Sequence, residues 1–222
     1  MNNLVLITSI VCTPNLPLSY IKTRSVFTHE QRFEQTKKTI ETVRDKIPNV
    51  KIIMVECSIL TETQNDYFMK NVDYFINLID NDALRQNIYS QSKSLGEGTM
   101  TMSAINYMKN NNIEYDNLFK ITGRYWLSES YNYENFNNND IVVNYINGND
   151  NNVCTSLYKL NKTNVDDFHA FLIENMKNMY ECIGYENLFA KFIKKQQTSK
   201  VTNLKKIGVN GYISVSNDFA DN

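Results

Sequence analysis

The feature that most constrains this chain is the alternation of apolar strand-like runs with helical periods over its first 130 residues. Residues 4–12, "LVLITSIVC", are apolar and rich in β-branched side chains, which reads as a buried strand. Residues 28–47 open with a helix start: Thr28 as N-cap, Gln31 as its capping-box partner and Glu30 in the first turn. Phe33, Ile40, Val43 and Ile47 then fall at helical spacing, and Pro48 closes the segment. A second strand is expected at 50–57, a short helix from 61, a third strand at 74–78, a helix at 92–111 and a fourth strand at 117–127. Strands separated by helices of this length predict an α/β fold, a mostly parallel central sheet with helices on both faces.

After residue 130 the pattern changes. Residues 140–146 and 153–160, joined by "NGNDNN", predict an antiparallel hairpin. A helix is expected at 164–183 with Asn164 as N-cap, a second at 184–195, and a last strand at 208–216 before a polar tail. No linker rich in Pro, Gly or Ser interrupts the 222 residues, so 1–222 reads as a single domain.

Charge and cysteine usage narrow the function classes. Lys and Arg number 23 against 24 Asp and Glu, so the chain lacks the global positive charge that nucleic-acid binding draws on. One local exception, the Lys-rich 191–206, reads as a solvated helix end and loop, or as a surface for an acidic partner or membrane. Cys12, Cys57, Cys154 and Cys182 lie far apart, and His29 and His169 are isolated, so neither a disulfide framework nor a structural zinc site is expected. That usage fits a reducing compartment, the cytoplasm. The N-terminal apolar run is short and lacks a basic leader, which predicts a strand and neither a signal peptide nor a membrane span. Asparagine, roughly one residue in seven, gathers in short loops and reflects composition bias more than function.

In open parallel sheets ligands bind beyond the carboxyl ends of the strands. The junctions there supply Thr8 and Ser9 with the long loop 13–27, Asp80 and Asp82 in "DND", Ser92, Lys93, Gly96, Glu97 and Gly98 in "SKSLGEG", and Lys120 and Arg124 in "FKITGRYWL". "DND" is either an Asn/Asp turn or a carboxylate pair for Mg²⁺ or Mn²⁺. "SKSLGEG" is either a capping box or a helix start whose N–H groups, with Lys93, meet phosphate oxygens. Tyr125 and Trp126 have packing roles whatever the function. Lys120 and Arg124, two cations flanking a buried strand end, require anionic partners.

The order "THEQRFEQTKKTIETVRDKIPNVKIIMVE", "SKSLGEGTMTMSAINYM", "LFKITGRYWL" resembles small glycosyltransferases of the GT-A fold, most closely those encoded by large algal viruses and those found in glycan-synthesis clusters. The resemblance spans residues 3–130, and more loosely "GYENLFAKFI" and "KKIGVNGYISVSN". It implies transfer of a sugar from a nucleotide-sugar donor to a hydroxyl of a glycan or glycoprotein acceptor. It sets Thr8 and Arg32 near the nucleotide, and Lys93, Glu97, Lys120 and Arg124 near the diphosphate and sugar. One departure stands out. GT-A enzymes usually carry a DxD metal motif after the fourth strand, where this chain has "GRYW"; its only DxD is Asp80–Asn81–Asp82. Either that pair holds Mn²⁺ or Mg²⁺ in a variant arrangement, or Lys93, Lys120 and Arg124 neutralise the diphosphate. An inverting reaction also needs a carboxylate base. Glu186 sits where related inverting enzymes carry an acidic residue at a helix start, and Asp140 is the reserve candidate.

Two other classes remain. A non-catalytic nucleotide- or glycan-binding module of the same fold would keep donor binding without turnover. A nucleotidyltransferase usually opens with a glycine-rich basic loop after the first strand, which "TSIVCTPNLPLSY" lacks.

Overall fold

The computed structural model describes residues 1–137, 140–196 and 198–222. Its centre is a seven-stranded sheet in the order β3-β2-β1-β4-β7-β6-β8, with β8 (Val201–Asn203) at one edge. Strands β1 (Asn3–Ser9), β2 (Val50–Glu56), β3 (Tyr74–Asn77) and β4 (Asn117–Thr122) are mutually parallel and carry helical crossovers, as the alternation predicts. On β1, Leu4 and Leu6 pack into one apolar layer and Val5 and Ile7 into the other, so both faces of the sheet are buried. One layer is closed by α4 (Lys93–Asn110), α6 (Lys162–Glu174) and α8 (Tyr185–Lys195), the other by α1 (His29–Lys46) and α2 (Glu62–Asn71).

Local signals place the helix starts well. Thr28 accepts from Gln31 N at 3.2 Å while Gln31 Oε1 accepts from Thr28 N at 2.9 Å, a complete capping box. Thr61 and Gln64 repeat it at α2. Such caps are worth about 1 kcal/mol each.

Five expectations are corrected. The segment 117–127 is not one strand: Gly123 and Arg124 turn the chain out of the central sheet, and β5 (Tyr125–Leu127) joins a second, three-stranded antiparallel sheet, β10-β9-β5, with β9 (Val209–Tyr212) and β10 (Phe219–Asp221). The cause lies on α1. Thr36 Oγ1 donates to Gly123 O at 2.8 Å, Thr39 Oγ1 donates to Tyr125 O at 2.6 Å, and Thr42 Oγ1 accepts from Leu127 N at 3.1 Å. This threonine ridge draws the backbone onto the helix. Gly123 fits there closely, since a Cβ would stand 3.0 Å from Ser9 Cβ and Ser9 would have to give by a few tenths of an ångström.

The expected hairpin exists, but its strands β6 (Ile141–Val143) and β7 (Leu157–Asn161) are short and enter the central sheet beside β4. The loop at 79–91 contains a further helix, α3 (Asp82–Tyr89), capped by Asn81. The helix expected at 164–183 is capped by Asn161, not Asn164, and breaks at Asn175 before α7 (Met176–Tyr180). Part of the expected polar tail, β10, pairs with β9. No helix among the described residues is long and apolar enough to cross a membrane.

Candidate active site

A cleft opens over the carboxyl ends of β1 and β4. It is lined on the sheet side by Thr8, Ser9, Thr122 and Arg124, on the helix side by Arg32, Lys93, Glu97 and Met100, and at its mouth by the loop 13–27 and Ile213–Val215. A second cavity shares Lys93, Glu97, Thr122, Arg124 and Ile213 with it, and adds Thr155, Ser156 and Glu186. The two therefore meet at Arg124 and Glu97.

The floor is a closed network. Lys120 is fully buried on β4, and its ammonium pairs with Glu97 of α4. It also donates to Thr122 Oγ1 at 2.9 Å and Thr155 O at 3.1 Å, while Thr8 Oγ1 donates to Glu97 Oε1 at 3.2 Å. Burial alone would raise the Glu97 carboxyl, but the Lys120 ammonium outweighs it and holds the carboxyl below its ordinary value. The anionic partner expected of Lys120 is thus the protein's own Glu97, and Lys120 reaches a ligand only through it. Ser9 Oγ shares a 3.2 Å hydrogen bond with Thr36 Oγ1, tying β1 to the threonine ridge.

The wall is different. Arg32 is 7% exposed, donates through Nε to Ile10 O at 2.9 Å and through an NH to Ser214 Oγ at 3.3 Å. Burial, and then the neighbouring Arg124 guanidinium, push it down to about 10. Arg124 Nε is buried with no hydrogen-bond partner. Among the described residues the arginines that form ion pairs are Arg44 and Arg85, neither in this cleft. Arg24, in the loop after β1, closes the mouth by donating to Ile88 O at 3.3 Å, Tyr89 O at 3.0 Å and Ser90 O.

Lys93 stands at the first position of α4, after the Ser92 N-cap that accepts from Leu95 N at 3.1 Å. Its Nζ is 3.4 Å from Glu186 Oε1, which also accepts from Thr155 Oγ1 at 3.4 Å. Gly96 belongs to packing as well as to the cleft: a Cβ there would approach Ile88 O to 3.0 Å, so it lets α3 and α4 touch.

Two predicted sets lie elsewhere. Asp140 is at the start of β6, which runs parallel to β4, and this puts it at the amino-terminal edge of the sheet, away from the cleft. There its carboxylate accepts from Asn161 Nδ2 and Lys200 N, both at 2.9 Å. The reserve role as base is withdrawn. Asp80 and Asp82 are exposed, Asp80 ahead of the Asn81 cap and Asp82 at the first position of α3, six residues or about 9 Å of helix rise before Ile88 meets the cleft. Asp82 is 2.6 Å from Arg85. Among the described residues no group of three or more His, Cys, Asp or Glu could hold a metal ion, and the cleft carboxylates Glu97 and Glu186 each face a lysine. These residues do not fit Mn²⁺ or Mg²⁺ on a diphosphate bound in this cleft.

Arg24, Thr155, Ser214 and Glu56 went unread in the sequence. Glu56 ends β2, fully buried; its Oε1 accepts from Val11 N at 3.1 Å, Cys57 N at 2.9 Å and Ser58 Oγ at 2.6 Å, while Oε2 has no partner. Burial raises its carboxyl. It shapes the start of the loop after β1 from beneath. The available signal was a lone acid closing an apolar strand.

No protein-family model and no curated protein sequence matches this chain. Solved structures do. The chain is similar to the CTP:phosphocholine cytidylyltransferase LicC of Streptococcus pneumoniae (TM-score 0.54, 12% identity, 98% of this chain and 96% of that one). It is similar to the nucleoside-diphosphate-sugar pyrophosphorylase of Vibrio cholerae RC9 (0.53, 8%, 93% and 93%). It is also similar to the apo-form glycosyltransferase GlyE of Streptococcus pneumoniae TIGR4 (0.51, 11%), where 91% of this chain spans 45% of that one. At these identities the likeness is one of fold: the chain has the α/β architecture that a cytidylyltransferase, a pyrophosphorylase and a glycosyltransferase share.

Proposed function

We propose that this protein is a glycosyltransferase that moves a sugar from a nucleoside-diphosphate donor to a hydroxyl of a glycan or glycoprotein acceptor. The observation that supports it is the pair of cavities meeting at Arg124 and Glu97. In this reading the first, with its arginines and the apolar Ile10, Leu18 and Ile88, takes the nucleoside diphosphate, and the second takes the acceptor beside Glu186. Glu186 accepts the hydroxyl proton as the acceptor oxygen bonds the anomeric carbon. The bond from that carbon to the phosphate oxygen breaks, and the electron pair leaves with the nucleoside diphosphate. Cations fixed in the cleft stabilise the charge that develops there.

A nucleotidyltransferase fits the same fold, but its phosphate loop after the first strand has no counterpart: that segment holds no glycine, and Arg24 is spent on backbone carbonyls. The test is Glu186→Gln, followed by donor affinity in calorimetry and nucleoside-diphosphate release with a panel of glycan acceptors. A general base contributes about 10²–10⁴-fold, so turnover falls by that factor while donor affinity is kept. Unchanged turnover in the variant would overturn the role of Glu186. Wild-type protein that binds donor but never turns over would point to the non-catalytic module.

A further inference from the structure

The arginines of the cleft wall need an anion, and the carboxylates that line the cleft, Glu97 and Glu186, each face a lysine. We infer that the donor diphosphate is held directly by Arg32 and Arg124, with no divalent cation between protein and phosphate. The inference rests on the donor reading above and deepens it.

Three observations carry it. The first is position. Arg32 lies one helical turn before Thr36, and Thr36 Oγ1 holds Gly123 O at 2.8 Å, so the ridge that turns the chain after β4 also sets Arg124 beside Arg32. Both guanidiniums line the same cleft, over the strand ends where the fold presents ligands.

The second is unmet demand. Two neighbouring guanidiniums, one in a residue 7% exposed, form no salt bridge with a carboxylate among the described residues, although Glu56 and Glu97 act on them from further off, and Arg124 Nε is buried without an acceptor. Buried cations are retained where an anion completes them. Guanidiniums bind phosphate in paired, planar fashion, which matches a ligand carrying two adjacent phosphoryl groups.

The third is the fate of the carboxylates. Metal-bridged diphosphate binding needs acidic oxygens aimed at the phosphates. Glu97 faces Lys120, Glu186 faces Lys93, and Asp82 faces Arg85 outside the cleft. The positive charge that a metal would supply is already built into the wall.

The test is calorimetric binding of UDP, GDP, CDP and dTDP, with the matching nucleosides, in excess EDTA and in MnCl₂. At least one diphosphate binds in EDTA with an affinity within about threefold of that in Mn²⁺. Arg124→Gln weakens it by about tenfold or more, the loss expected for a charged hydrogen-bonded contact, and leaves the nucleoside's affinity unchanged. Arg32→Lys, which keeps the charge and loses the fork, does the same; circular dichroism confirms that both variants fold. Binding only with Mn²⁺, abolished by Asp80→Asn or Asp82→Asn, would overturn the inference and leave the donor reading standing. Binding in EDTA that ignores both arginine variants would also overturn it. Absence of binding for every nucleotide, with and without metal, would instead sink the donor reading itself.

Discussion

The floor and the wall of the cleft treat buried positive charge in opposite ways. On the floor, Lys120 is matched by Glu97 and two oxygen acceptors, so the network is complete within the protein. On the wall, Arg32 and Arg124 form no salt bridge with a carboxylate among the described residues, and one donor is orphaned. The floor is what a structural role looks like, since breaking one partner strands the other in a dry environment. The wall is what an open binding role looks like, because its missing partner comes from outside. One cation of each set, Lys120 and Arg124, was visible as a candidate in one short stretch, "FKITGRYWL", and only their surroundings separate them.

The largest effect should come from breaking the floor. Lys120→Met leaves the Glu97 carboxylate without its cation, which costs about 3–5 kcal/mol. Urea unfolding of Lys120→Met, Glu97→Gln and the double variant measures it, and the double variant should recover most of the loss. If the single losses simply add, the pair is not coupled and the contrast fails.

Next comes a pair of pH profiles. The Glu97 carboxyl sits below its ordinary value of 4.5, so its contribution is present above that value and lost as pH falls through the folded one. The Glu56 carboxyl sits above 4.5, so its contribution is present below that value and lost as pH rises through the folded one. Melting temperatures across acid to neutral pH should therefore show Glu97→Gln losing ground against wild type as pH rises, and Glu56→Gln gaining it. Profiles of the same sign would mean that one of these carboxylates is not in the state its surroundings dictate.

The smallest effect sharpens the contrast from the wall. Arg124→Gln removes a half-buried cation that forms no salt bridge among the described residues, so stability without ligand should move by less than about 1 kcal/mol in either direction, as for sites that lack close internal partners. A loss as large as that of Lys120→Met would show that Arg124 holds the fold and is not kept for a ligand.

Much of the fold was legible because its signals are local. The capping boxes at Thr28 and Thr61 are made by residues three apart, and both start helices. β-Branched runs such as 4–9 form strands buried on both faces, since their side chains alternate between two apolar layers. Where sequence reasoning failed, a distant group won. The strand at 117–127 breaks because Thr36, Thr39 and Thr42 of α1, some 85 residues earlier, take its backbone hydrogen bonds. Within the site, Thr8, Ser9, Arg32, Lys93, Glu97 and Arg124 are brought to one cleft because each follows or faces a strand end of the same parallel sheet. Asp140 is not, because β6 runs parallel to β4 and begins at the other edge.

The sequence by itself determined the alternating α/β plan, the starts of α1 and α2 and the strand ends at which charged side chains gather. Only the tertiary structure decided which of those charges are answered. Periodicity and capping act over one or two turns of chain. The pairing of Lys120 with Glu97, and the placing of Arg32 beside Arg124, depend on the order in which parallel strands and their crossover helices pack.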